Sequence, residues 1–201
     1  MGAALCSTPF SQTTLKQSFM EKSDIRRKIK SMRLMLSQAE KAAAAQEVFG
    51  QLERSAAFLV AEKILMYHSL PDELTTIEFL NKWGSRKRFF LPRVNGVNLE
   101  ILPYDQSRLE LGAFHIEEPS GDDITDPSEI ELMVIPAVSF DRRGNRLGRG
   151  KGFYDRLLQS TTATKIGVGY DFQLFEEIPV EEHDVPMDFV ITQKHFITIK
   201  K

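Results

Sequence analysis

The stretch from Asp141 to Asp155, DRRGNRLGRGKGFYD, concentrates the residue types that hold anions: four glycines and five basic side chains in fifteen residues, with a carboxylate at each end. Glycines let backbone N–H groups approach an anion closely, and Arg or Lys supplies formal charge. The stretch follows an apolar run, Leu132 to Phe140, that reads as a buried strand, and leads into YDRLL, which reads as a helix start. A strand, a glycine-rich turn and a helix in that order form a phosphate cradle. Two common patterns are excluded. A P-loop needs a glycine five residues before the Gly150-Lys151 pair and a Ser or Thr after it, where Asn145 and Gly152 stand. A dinucleotide fingerprint running on from Gly148-x-Gly150 needs a third glycine where Phe153 stands. The alternative reading is a basic surface turn ahead of a helix.

Other residues could join such a site. Lys22 and Arg26 fall four apart at the start of a helical pattern and could point together at an anion; from the residues alone, solvated charges are the better reading. Asp72 and Glu73 follow the apolar run Lys63 to Leu70, and open α/β sheets put their ligands at strand C-termini. A carboxylate there can accept two hydrogen bonds from an amino-pyrimidine type ring, or it can cap the helix Thr75 to Trp83. His68, inside the strand, reads as a packed core residue, since no nucleophile is paired with it in sequence. Phe114, in the loop-like stretch Ser107 to Pro119, can stack on a heterocycle or simply pack. Asp155 and the acidic run Glu181 to Asp188 are two separated carboxylate points. Mg²⁺ bound with a nucleotide needs only one or two carboxylates, but an acidic run is also what a solvated surface looks like.

The elements that position these residues alternate. Helical spacing begins at Ser23 or Asp24 as cap, with Ile25, Ile29, Met32 and Leu36 on one face. Ser37 with Glu40 makes a capping box for a second helix carrying Val48, Phe49, Leu52 and Ala56. Arg88 to Val94 and Leu99 to Tyr104 flank Asn95-Gly96 as a hairpin. Phe153 to Gln159 is a helix, Lys165 to Tyr170 a buried strand, and Phe189 to Ile191 and Phe196 to Ile199 closing strands. Strands alternating with helices argue an α/β fold with a mainly parallel sheet.

At 201 residues the chain is most simply one domain, and 27% charged with 42% hydrophobic residues is ordinary for a soluble globular protein. A net charge of −2 gives no polyanion-binding character overall, so an anion site has to be local and nucleic acid is not an expected partner. No run approaches a membrane span, and residues 1–21, rich in Ser, Thr and Gln, read as a poorly ordered extension lacking the features of a secretory signal. The sole cysteine, Cys6, excludes an intrachain disulfide and is compatible with a reducing compartment.

NRLGRGKGFYD with the preceding PAVSFDRRG resembles the hallmark of the 5-formyltetrahydrofolate cyclo-ligases, also called methenyltetrahydrofolate synthetases. The resemblance extends from about Lys22 to about Ile191: KSDIR is similar to the family's ATP-contacting Lys-x-x-x-Arg, YHSLPDELTT to its folate-binding strand end, FLPRV to its middle strand, and IPVEEHDVPMD to its acidic closing motif. It implies a three-layer α/β/α catalytic domain over residues 22–201 and ATP-dependent cyclisation of 5-formyltetrahydrofolate in the cytoplasm by a monomer acting on small molecules. It also implies roles. Lys22 and Arg26 meet the ATP phosphates. Arg146, Leu147, Gly148, Arg149, Gly150, Lys151, Gly152, Phe153 and Tyr154 wrap the nucleotide, with Lys151 near the transferred phosphate and Arg149 between the substrates. Asp155 and Asp184 hold Mg²⁺. His68, Glu73 and Phe114 face the folate, Glu73 fixing the pterin by paired hydrogen bonds. Phe114 stands where some relatives place Trp, and Phe153 where Tyr is commoner, so no hydroxyl is expected there. The rival readings are a sugar-phosphate or acyl-CoA enzyme of similar layering, or an arginine-glycine RNA contact.

Overall fold

Five apolar segments, each too short for a helix and rich in β-branched or aromatic residues, form the centre of one sheet. In the computed structural model, which describes residues 20–112 and 116–200, they are β1 (Lys63–Leu65), β2 (Arg88–Asn95), β6 (Leu132–Pro136), β9 (Thr164–Val168) and β11 (Phe189–Ile191). All five run parallel, in the order β11-β9-β6-β1-β2. β3 (Asn98–Pro103) and β12 (Phe196–Thr198) add antiparallel edges, making seven strands. Phe114, most of the N-terminal extension and Cys6 lie outside the described residues.

The strands read as apolar runs rather than alternations because both faces are covered. On β6, Leu132 and Val134 pack with Val48, Phe49 and Leu52 of α2 (Gln38–Leu52), Phe58 of α3 (Ala56–Val60) and Phe79 and Leu80 of α4 (Ile77–Trp83). Met133 and Ile135 face the other way, onto Leu157 and Leu158 of α5 (Phe153–Gln159). This is the three-layer arrangement expected. α1 (Lys22–Met35) joins neither face; Ile25 and Ile29 pack with Val138, Leu147 and Ile178. The capping box at Ser37 and Glu40 forms as the spacing predicts. At α1 the expectation shifts: the amides of Asp24 and Ile25 bond to the carbonyl of Glu21, so Ser23 and Asp24 sit inside the first turn.

Two stretches depart from the expectation. The apolar run 132–140 is not one strand; it breaks after Pro136 and resumes as β7 (Ser139–Asp141), which pairs with β8 (Arg146–Leu147) and β10 (Leu174–Phe175) in a second, three-stranded sheet. The loop-like stretch 107–119 contains a hairpin of β4 (Leu109–Leu111) and β5 (Glu117–Pro119).

The chain lays β2 on one side of β1 and later β6 on the other. A crevice opens at such a reversal, outside the strands' C-terminal ends. β2 also outruns β1, which reaches only Phe90. Beyond it no strand among the described residues pairs with that edge of β2, which tolerates Pro92; the Val94 amide there donates to Glu118 Oε1 at 3.3 Å, and Pro92 and Val94 line the crevice.

Candidate active site

The crevice is a cavity of about 460 Å³, within the range of small-molecule sites. Its floor comes from Tyr67, His68, Leu70 and Glu73 after β1, from Pro136 at the end of β6 and from Ala137 just past it. One wall is Pro92, Val94 and Leu99 of the β2–β3 hairpin with Ile116, Glu117 and Glu118; the opposite wall is the glycine stretch.

That stretch is more structured than a loop. Asp141, wholly buried, accepts from the amides of Arg143 (2.9 Å), Asn145 (3.0 Å) and Ile178 (3.3 Å) and from Asn145 Nδ2 (2.8 Å), which shapes the β7–β8 turn. Gly150 and Gly152 then hold φ of 99° and 68°, values that favour glycine, and Gly152 stands directly before α5 with no side chain capping the helix.

Of the residues singled out in the sequence, His68, Glu73, Arg146, Gly148, Arg149, Gly150, Lys151, Gly152, Phe153, Tyr154 and Asp155 all line this one cavity. Lys22, Arg26, Leu147 and Asp184 do not. Leu147 turns its side chain into the packing beneath α1. Arg26 donates from Nε to the Gly148 carbonyl at 3.0 Å, tying α1 to the glycine wall. Lys22 Nζ reaches Glu181 Oε1 at 2.9 Å and Asp184 Oδ2 at 3.2 Å. Burial works against the Lys22 charge, but those carboxylates outweigh it and raise its pKa.

Arg146 is buried, bonds Asp155 Oδ1 at 2.5 Å and lies 5.4 Å over the Tyr154 ring. Arg149 Nη2 bridges Asp72 Oδ1 (2.8 Å) and Glu73 Oε1 (2.9 Å); burial opposes its charge, but the carboxylates prevail and raise its pKa. The Glu73 carbonyl accepts from the Tyr170 hydroxyl at 3.1 Å, and burial pushes that phenol up to about 12. His68 sits 3.6 Å from Glu117 with its pKa lowered by burial, which the Glu117 charge only partly offsets.

A basic, glycine-lined wall facing an apolar floor that carries one carboxylate fits a phosphorylated ligand beside a flat heterocycle. The profile of the 5-formyltetrahydrofolate cyclo-ligase family matches residues 18–193. The chain belongs to this family. It is 37% identical over 144 residues to the 5-formyltetrahydrofolate cyclo-ligase of Escherichia coli K12, covering 67% of this chain and 79% of that one. Over 150 residues it is 29% identical to the mouse protein of the same name, covering 65% and 73%. Among solved structures, the Aquifex aeolicus 5,10-methenyltetrahydrofolate synthetase aligns with a TM-score of 0.83 at 32% identity, over 90% of this chain and 94% of that one.

The cyclo-ligase reading raises the question of a metal. Among the described residues no three His, Cys, Asp or Glu side chains cluster as a self-sufficient metal site. Asp155 and Asp184 are hard oxygen donors on neighbouring segments, since Gln159 of α5 donates to the His183 carbonyl at 3.3 Å. Two carboxylates fit Mg²⁺, which takes one or two from protein and the rest from phosphate and water.

Sequence reasoning missed Arg33. It is 4% exposed, donates to Asp72 Oδ2 at 2.9 Å and to the Ala137 carbonyl at 2.6 Å, and is seven residues past Arg26. Lys22, Arg26 and Arg33 therefore share one stripe of α1, a helical spacing that could have flagged it. The hairpin wall had no comparable signal, because Pro92, Val94 and Leu99 are apolar residues like any others in a strand.

Proposed function

We propose that this chain catalyses the ATP-dependent closure of 5-formyltetrahydrofolate to 5,10-methenyltetrahydrofolate, releasing ADP and phosphate. Family membership supports the reading, and the observation that carries it is the Arg149 bridge. One guanidinium belonging to the glycine wall touches a carboxylate on the apolar floor, so two ligands filling the cavity would meet there.

A formamide oxygen is a weak nucleophile, and hydroxide a poor leaving group. Closing the ring from the N5-formyl to N10 therefore needs that oxygen activated. The oxygen takes the γ-phosphoryl of ATP and ADP leaves, giving an N5 iminium-type phosphate. N10 attacks the activated carbon, its proton departs, and phosphate carries the oxygen away. Such a transfer asks the protein to position groups and neutralise charge rather than supply a nucleophile.

In this reading Lys22, Arg26 and the 146–154 stretch hold the nucleotide, Lys151 and Arg149 stabilise the charge on the transferred group, Glu73 accepts from the pterin, and His68 lines the folate side. Asp155 and Asp184 would hold Mg²⁺, which supplies positive charge to the phosphates when bound. Arg146 and Lys22, the present partners of those carboxylates, would turn to phosphate oxygens. No helix among the described residues is long and apolar enough to cross a membrane. A cytoplasmic monomer without nucleic-acid partners completes the proposal.

The test is absorbance growth at the methenyl chromophore from purified protein, 5-formyltetrahydrofolate, Mg²⁺ and ATP. Growth that requires ATP and yields one ADP per product is expected. ATP binding without growth would sink the folate assignment and leave only a phosphate site.

A further inference from the structure

Arg149 is held by two carboxylates that differ in where they stand. Glu73 lines the cavity, so an entering ligand can engage it; Asp72 does not line it. Asp72 is oriented from behind. Its Oδ2 accepts from Arg33 Nη1 at 2.9 Å, and Arg33, buried on α1, is fixed by the Ala137 carbonyl at 2.6 Å. That carbonyl in turn accepts from Gln173 Nε2 at 2.7 Å, and Gln173 is itself buried. Burial pushes the Asp72 carboxyl up, but Arg149 and Arg33 outweigh it and keep it ionised below the usual carboxylate range.

We propose that Asp72, aimed by the buried Arg33, is the positioning residue for Arg149, and that Glu73 is the carboxylate Arg149 gives up when folate binds. The inference rests on the cyclo-ligase reading above. Glu73 Oε1 is bonded to Arg149 and Oε2 accepts from the Leu70 amide at 3.2 Å, so a pterin that pairs with both oxygens meets the guanidinium already seated on one of them and competes with it there. Once Glu73 turns to the ligand, Asp72 alone keeps the guanidinium at the junction. Arg149 then has one counter-charge instead of two, leaving more of its field for the transferred phosphoryl. A long, rotamer-rich side chain held by an outside anchor reaches the transition state without losing that freedom at the moment of reaction.

The experiment is a kinetic double-mutant cycle of Asp72→Asn with Arg149→Ala, using the methenyl assay. Asn keeps an acceptor oxygen for Arg33 but removes the charge that grips Arg149. Asp72→Asn should lower kcat by roughly 10- to 100-fold with both KM values within about threefold, and lower it by less than about twofold when Arg149 is already Ala. Equal losses in both backgrounds would mean that Asp72 only braces the fold, and would overturn the proposal. Asp72→Ser gives the same cycle if the Asn protein does not fold.

A second measurement needs no variant. The Arg149 guanidinium should show hindered rotation by ¹⁵N NMR in the wild-type protein and keep it on saturation with 5-formyltetrahydrofolate. Rotation that becomes free on adding folate would overturn the proposal. If the wild type binds folate and shows no methenyl product, it is the proposed function that fails, and the NMR result still decides the Asp72 anchor.

Discussion

The two walls of the cavity are built by opposite strategies. The glycine wall comes from one continuous stretch, Arg146 to Asp155, whose charges and positive-φ glycines are adjacent in sequence. The other wall and the floor draw on residues after β1, on both strands of the β2–β3 hairpin and on the β4–β5 hairpin, and they are mostly apolar. Backbone amides and formal charge can recognise phosphate within a single turn. A flat heterocycle offers shape and a few edge groups, so the surface that receives it needs several distant segments brought together by the sheet.

Substitutions on each side should affect different quantities. Lys151→Ala should have the largest effect, on the order of 10² or more in kcat, with folate affinity unchanged when measured by equilibrium binding. Loss of folate affinity in that variant would erase the division between the walls. Glu73→Gln should cost roughly 10- to 100-fold in affinity for 5-formyltetrahydrofolate, the worth of a hydrogen bond to a charged acceptor, while the ATP KM holds. Gly167→Ala acts away from both walls, on β9 outside the cavity lining: a Cβ there would fall 2.4 Å from Phe140. It should lower unfolding stability by about 1–3 kcal/mol by overpacking while shifting neither KM selectively, as read by chemical denaturation and kinetics.

The smallest effect expected is on pH. Burial lowers the His68 pKa, so the unfolded chain binds the proton more readily and stability is lost as pH falls below the unfolded value of about 6.5. His68→Gln should flatten that limb of the stability–pH curve without altering the alkaline side.

The same contrast explains what could be read in advance. The three layers are implied by the family resemblance, whereas the glycine stretch, the Ser37 capping box and the hairpin at Asn95-Gly96 follow from spacings of a few residues. The break after Pro136 did not, because Ala137 and Val138 are as apolar as the residues before them and only the pairing of β7 with β8 and β10 separates the two strands. The β4–β5 hairpin lacks a clean alternation, since Leu109 and Leu111 are only partly buried or exposed. Arg33 and Asp72 are 39 residues apart, so their partnership appears only once the helix is laid across the strand ends. The role of Phe114 stays an expectation from sequence.

α1 delivers Lys22, Arg26 and Arg33, yet its apolar anchor is smaller than either large cluster of the central sheet: Ile25, Ile29 and Met32 against Val138, Leu147, Ile178, Phe175 and Phe172, which also touches the larger cluster. An element with few buried apolar neighbours opens at lower free energy than the core it rests on. Native-state amide exchange should therefore divide the molecule, with α1 exchanging through local opening and β6 and β9 only through global unfolding. The basic stripe of α1 would then come and go as one unit, and an anion bound beneath it would slow exchange along the whole helix.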